Sequence, residues 1–182
     1  MNYIRILAID PGSNTGIAIY TIDSFTFNIV SIETDIVVLN NQDDHMLVNS
    51  KIANRLRYLN FIVKRIVLQY DIDVLVLESA FVNRRFPKAV VQLSQYIATI
   101  ELSIMEINKK IKMFRYPPLY IKKQLSVRNT SKDAMSVAVG KVKEITDKIN
   151  ISLLTEHEVD AIAIGYTMLK ELRLRPYYLI AL

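Results

Sequence analysis

This sequence predicts an α/β fold in one domain over residues 1–182, with a five-stranded mixed sheet flanked by helices. Three observations carry that prediction. Segments rich in Ile, Val and Thr, separated by short polar breaks, fill most of the first 38 residues. Two short apolar runs follow later, each behind a stretch whose apolar residues recur every three or four positions. The last third has helical spacing again, so strands come first and crossovers after.

Taken in order, Tyr3 to Asp10 reads as a buried strand, because Ile4, Ile6, Leu7, Ala8 and Ile9 stop at Pro11-Gly12, which cannot continue it. Gly16 to Ile22 and Thr26 to Val38 complete an antiparallel meander. Between Asp44 and Tyr70, the positions Ile52, Leu56, Leu59, Val63 and Ile66 form one apolar stripe, as in a long amphipathic helix. Ile72 to Leu77 has only Asp73 polar and reads as a strand buried on both faces, ended by Glu78. A helix from Pro87 to about Asn108 leads to a fifth strand, Lys112 to Tyr116, closed by Pro117-Pro118. Helices are then expected over Leu119 to Leu125, over Ser131 to about Lys148 with Ser131 as cap, and over Thr155 to Leu172. The stripe Leu93, Tyr96, Ile97 and Ile100 has two readings, a contact between two copies of the chain or burial against its own sheet.

Composition narrows the chemistry. Cysteine is absent, which removes disulfides, thiolate metal sites and thiol nucleophiles together, so any metal must sit on oxygen or imidazole. A formal charge of +5 favours an anionic partner. No apolar run approaches the roughly 20 residues of a membrane span, and no secretory leader is visible, so a soluble cytoplasmic protein without a membrane partner is expected.

Asp10 and Glu78 each end a strand, and they become neighbours if those two strands pair in parallel through the intervening helix. Carboxyl ends of strands are where ligands bind in such sheets. A third group comes from Thr155-Glu-His-Glu-Val-Asp160, where His157 and Asp160 share a helix face at i and i+3, and Glu156 pairs with Asp160 at i and i+4. The small apolar run Ala161-Ile-Ala-Ile-Gly165 suits a helix lying flat on the sheet, which points Asp160 at the strand ends. Three carboxylates without a counter-charge repel one another unless they are protonated, paired or filled by a cation. With oxygen and imidazole donors the natural occupants are Mg²⁺ or Mn²⁺. Two such ions about 4 Å apart suit hydrolysis of a phosphodiester.

Asn108 to Lys132 contains eight basic residues and no acidic one: Lys109, Lys110, Lys112, Arg115, Lys122, Lys123, Arg128 and Lys132. Immediately after Glu78, the stretch Phe81-Val-Asn-Arg-Arg-Phe-Pro-Lys88 adds Arg84, Arg85 and Lys88 among aromatic rings. Cations that neutralise phosphates beside rings that stack on bases read as a nucleic-acid track.

Together these residues resemble the RuvC-type Holliday junction resolvases of the RNase H-like superfamily. The likeness runs from Ile6-Leu-Ala-Ile-Asp-Pro-Gly-Ser13 with Thr15-Gly16, through Leu75-Val-Leu-Glu78 and Phe81, to Pro118-Leu-Tyr-Ile-Lys-Lys123, Lys132 and His157-Glu-Val-Asp-Ala-Ile-Ala-Ile164. It implies an RNase H-like fold and a Mg²⁺-dependent endodeoxyribonuclease acting on four-way and other branched DNA. It also implies a homodimer placing one site on each of two symmetry-related strands. Asp10, Glu78, His157 and Asp160 are its implied metal ligands, Lys122 and Lys132 its phosphate-side cations, and Phe81 a wedge at the branch point. The segment Ser126-Val-Arg-Asn-Thr130 departs from the family by lacking glycine, which leaves the choice between Lys122 and Lys123 open. The composition suits a phage-encoded member acting in a host cytoplasm. Two alternatives stand beside this reading, a branched-DNA-binding protein without turnover and a nuclease for RNA–DNA hybrids.

Overall fold

The computed structural model describes residues 3–39, 51–80, 87–127, 131 and 133–176. The strands are β1 (Tyr3–Asp10), β2 (Asn14–Asp23), β3 (Ile29–Val38), β4 (Val74–Glu78) and β5 (Lys112–Tyr116). The helices are α1 (Lys51–Tyr70), α2 (Pro87–Ile107), α3 (Pro118–Gln124), α4 (Ala134–Val139), α5 (Lys143–Thr146) and α6 (Glu156–Leu174). A 3₁₀ turn at Ile151–Leu153 precedes α6. The sheet order is β3-β2-β1-β4-β5, antiparallel across the first three strands and parallel from β1 through β4 to β5. The five-stranded mixed sheet expected from the sequence is therefore present.

Alternation of side chains along each strand divides the interior into two cores. Leu7, Ile9, Ile17, Ile19, Leu75 and Leu77 face α1 and α2, whereas Ile4, Ile6, Ala8, Ala18, Tyr20, Ile22, Val74 and Val76 face α3 to α6. This parity matters for function. Asp10 continues the row Ile4-Ile6-Ala8, and Glu78 continues the row Val74-Val76, so both acids belong to the face that α6 covers. The pairing Ile9↔Leu77 makes them neighbours at adjacent strand ends.

Helix α6 lies close because its contact side is small. Ala161 and Ala163 are fully buried, the Tyr20 hydroxyl donates to the Ile162 carbonyl at 2.7 Å, and a Cβ at Gly165 would meet the Tyr20 ring at 2.3 Å. Its first turn is fastened by a capping box, in which the Glu158 amide donates to Thr155 Oγ1 at 3.3 Å and the Thr155 amide to Glu158 Oε2 at 2.9 Å. The Thr34 hydroxyl of β3 donates to Glu158 Oε1 at 2.9 Å, tying that turn to the sheet edge.

One expectation is corrected, and one choice left open is resolved. Ser131 does not cap one long helix to Lys148: the segment divides at Gly140 into α4 and α5, and Asp133 holds the N-cap position of α4. The α2 stripe is not an open contact surface either. Tyr96, Ile97 and Ile100 are buried in the core shared with α1 and the sheet, with Leu93 packed against it.

Replacing Gly165 by Ala forces a methyl group into the Tyr20 ring, and overpacking of this kind costs about 1–3 kcal/mol. Urea denaturation of Gly165→Ala is expected to show that loss; a variant as stable as the parent means that α6 does not rest on Tyr20.

Candidate active site at the strand ends

Asp10 sits where β1 gives way to a turn closed by the Thr15 hydroxyl, which donates to the Gly12 carbonyl at 2.7 Å. Thr15 is completely buried, so the turn is fixed from inside. Glu78 is the last residue of β4, and the next amide, Ser79, donates to the Tyr116 carbonyl at 2.9 Å, which holds that strand end against β5. From the other side, α6 brings His157 and Asp160. His157 Nδ1 lies 3.1 Å from Asp10 Oδ2, closing a contact across 147 positions of sequence.

The acids perturb one another. Burial, then the charges of Asp10 and Asp160, push Glu78 up from the ordinary 4.5 to about 8. Burial, then Asp10 and Glu156, push Asp160 up to about 7. Asp10 is raised by burial even though its bond to His157 pulls the other way, and the same bond raises His157. Among the described residues, Lys122 is the cation whose charge acts on both Glu78 and Asp160. Lys123, its neighbour on α3, is exposed as Lys122 is, and is not named among the charges acting on either acid.

Among the described residues, no group of three or more His, Asp or Glu side chains has the arrangement of a formed metal cage. The donor set nevertheless fits a hard divalent cation, since it consists of carboxylate oxygens and one imidazole and its members repel one another. A carboxylate that holds the Nδ1 proton of an imidazole leaves Nε2 as the atom able to ligate a metal, and Asp10 stands at that distance from the His157 Nδ1.

The remaining expected residues divide three ways. Phe81, Arg84, Arg85, Arg128 and Lys132 lie outside the described residues. Lys88 is exposed in the first turn of α2. Arg115 has the wrong parity for the acid site: on β5 the residues Phe114 and Tyr116 face the α6 side, and Arg115 pairs instead with Glu101 of α2. Glu158 is occupied by Thr155 and Thr34, whereas the charge of Glu156 is felt at Asp10 and Asp160.

Sequence reading missed Asp133 and Ser136, which with Glu156 and Asp160 line a cavity of about 150 Å³ beside the acids. One polar residue at the N-cap of a six-residue helix and one within it carry no spacing that would reveal them. A larger cleft of about 570 Å³ between α3, α4 and α6 is walled mainly by apolar groups and contains none of the acids, whereas Asp160 and Glu156 connect the smaller cavity to the acid cluster.

A mixed five-stranded sheet with carboxylates at the ends of its first and fourth strands, and a third on the last helix, defines an RNase H-like nuclease framework. The profile of the crossover junction endodeoxyribonuclease RuvC family matches residues 6–168, and the chain belongs to that family. Crossover junction endodeoxyribonuclease RuvC of Ehrlichia chaffeensis is 27% identical over 160 residues, covering 82% of this chain and 94% of that protein. Among solved structures, Thermus thermophilus RuvC in complex with a Holliday junction substrate superposes with a TM-score of 0.71 at 15% identity, covering 94% of this chain and 96% of its own. The yeast mitochondrial Holliday junction resolvase Ydc2 gives 0.66 at 10% identity, covering 97% and 82%. Divalent-metal dependence goes with the family.

The raised acids predict a pH dependence. Glu78 and Asp160 hold protons in the folded chain that the unfolded chain has released, so metal-free stability falls as pH rises from about 5 to about 8. Mg²⁺ competes with those protons and flattens the fall, as does Glu78→Gln. Urea denaturation at pH 5.5 and 8, in chelator or in Mg²⁺, checks this; a slope indifferent to Mg²⁺ rules out cation binding by these acids.

Proposed function

We propose that this member of the RuvC family is a Mg²⁺-dependent, structure-selective endodeoxyribonuclease that resolves Holliday junctions, and other branched DNA, by paired phosphodiester hydrolysis. The observation that carries the reading is the meeting of Asp10, Glu78 and Asp160, from three distant segments, on one face of the sheet beside Lys122. Asp10, Glu78, His157 and Asp160 would hold two Mg²⁺ ions, or Mn²⁺ in their place. Bound there, the ions supply Lewis-acid stabilisation of charge on the reacting phosphate. The chain's own side chains do the rest. Asp10 fixes the ring of His157, Glu78 and Asp160 supply negative charge from opposite walls, and the ammonium of Lys122 receives the phosphate. A water oxygen bonds to phosphorus and gives up a proton to solvent, one ester P–O bond breaks, and the departing oxygen takes up a proton from solvent, so that one water is consumed and the proton count is unchanged. Lys132 completes the cationic side.

DNA is held by Phe81, Arg84, Arg85, Lys88, Lys122, Lys123, Arg128 and Lys132. Arg115, committed to Glu101 on the other side of the sheet, is left out of that set. A homodimer places a second site on the opposing strand of a four-way junction. Phe61 and Leu68 on α1, with Leu102 and Met105 on α2, are exposed apolar side chains available to that contact now that the inner α2 stripe is buried. No helix among the described residues is long and apolar enough to cross a membrane, and we place the enzyme's action in the cytoplasm.

Asp10→Asn is expected to lower cleavage of a labelled four-way junction by more than about 100-fold, beyond what losing a mere supporting partner of a metal ligand costs, while junction binding persists. Cleavage at the parental rate rejects the site. Junction binding with no nicked product in either protein points instead to an architectural DNA-binding role, and preferential cutting of RNA–DNA hybrid in competition to an RNA-directed nuclease. Lys122→Ala is expected to slow cleavage more than Lys123→Ala at saturating DNA; equal effects remove Lys122 from the reacting phosphate.

A further inference from the structure

Gly16 lies across the β1–β2 ladder from Asp10, in the row of β2 positions that continues to Ala18 and Tyr20 and faces α6. Its backbone does not call for glycine, because no glycine among the described residues has a positive φ. The space does. A Cβ at Gly16 would stand 1.9 Å from the His157 carbonyl oxygen, 2.4 Å from its carbonyl carbon and 3.1 Å from the Glu158 amide nitrogen. Even a close carbon–oxygen contact in proteins is about 3.3 Å. At Gly12 and Gly140, by contrast, the nearest atom would be 3.2 and 3.1 Å away. The first turn of α6 therefore rests on bare β2 backbone at the one position paired with Asp10.

We infer that Gly16 is a positioning residue for the metal-dependent centre: by letting the start of α6 touch β2, it sets the distance from the helix-borne His157 and Asp160 to the sheet-borne Asp10 and Glu78. The inference rests on the site reading given above. Any side chain at position 16 must lift the first turn by more than an ångström. The Thr34 bond opposes a sideways slide by tying the turn to β3, and the capping box keeps the turn itself intact. Nor can the whole helix withdraw, because Ala161 to Ile164 are completely buried against the sheet. The lift is thus concentrated at His157 and carried on to Asp160, while Asp10 and Glu78 stay with their strands. Misplacement of reacting groups by about 1 Å costs about 100-fold in rate.

The test compares Gly16→Ala, Gly165→Ala, Thr34→Val and Asp10→Asn by Mn²⁺ calorimetry, thermal melting and junction cleavage. Gly16→Ala is expected to weaken Mn²⁺ binding by about 10–100-fold and cleavage by about 100-fold, while still binding a four-way junction. Gly165→Ala, which disturbs the same helix away from its first turn, lowers the melting temperature and leaves Mn²⁺ affinity at the parental value. Thr34→Val, which loosens the first turn without adding bulk, weakens Mn²⁺ binding to a smaller degree. A folded Gly16→Ala protein with parental Mn²⁺ affinity overturns the inference. If Gly16→Ala does not fold, unchanged affinity in Thr34→Val overturns it. Parental Mn²⁺ binding and cleavage by Asp10→Asn defeat the underlying site reading, whereas an inactive Asp10→Asn beside an unaffected Gly16→Ala defeats only the role of Gly16.

Discussion

Repulsion among buried carboxylates is the constraint around which this protein is arranged. Asp10 acts on Glu78 and on Asp160, and Asp160 acts on Glu78, through space from which much of the water has been removed, and burial is the largest influence on all three. Left to themselves, such groups would separate or stay protonated. What keeps them together is packing elsewhere. Ile162, Ile164, Met168, Leu169 and Leu172 of α6 are completely buried, and burial of each such side chain contributes roughly 1.5–3 kcal/mol. The hydrophobic side of α6 thus outweighs the repulsion at its polar end, and the helix stays where the acids meet.

The same helix organises the cationic side. The Tyr120 hydroxyl of α3 donates to the buried Glu171 carboxylate of α6, and Lys170 Nζ donates to the Gln124 carbonyl at 2.8 Å, at the C-terminus of α3. Tyr120 also stacks on Tyr116 at the end of β5, with centroids 5.5 Å apart. Short α3 is therefore held at its middle and its end, and Lys122 lies between those attachments. One helix sets the positions of His157 and Asp160 at its start and, through its later contacts with α3, the position of the element that carries Lys122.

Much of this was legible in order. The strands, the crossovers and the acid-bearing positions follow from apolar periodicity and from turn residues at Pro11-Gly12 and Pro117-Pro118. Asp10 and Glu78 could be paired because two parallel strands joined by a helix place their carboxyl ends together. The division of Ser131 to Lys148 into two helices was missed, because Gly140 alone is a weak break in an otherwise helical pattern. Arg115 was grouped with the basic track by proximity in sequence, although its alternation with Phe114 and Tyr116 puts it on the other side of the sheet. The capping box Thr155-x-x-Glu158 was equally readable, and it accounts for the second of the two glutamates flanking His157.

By itself the sequence determined the sheet, its layers and the identity of the charged groups, because strand and helix periods are local properties that survive without knowledge of distant neighbours. Only the tertiary structure decided which face of α2 is covered and how closely α6 approaches β2. Those depend on contacts across more than a hundred residues, where an absent methyl group at Gly16 or a ring beneath Gly165 sets the spacing. Linear spacing carries no record of such contacts, since van der Waals exclusion acts only between atoms that folding has already brought together.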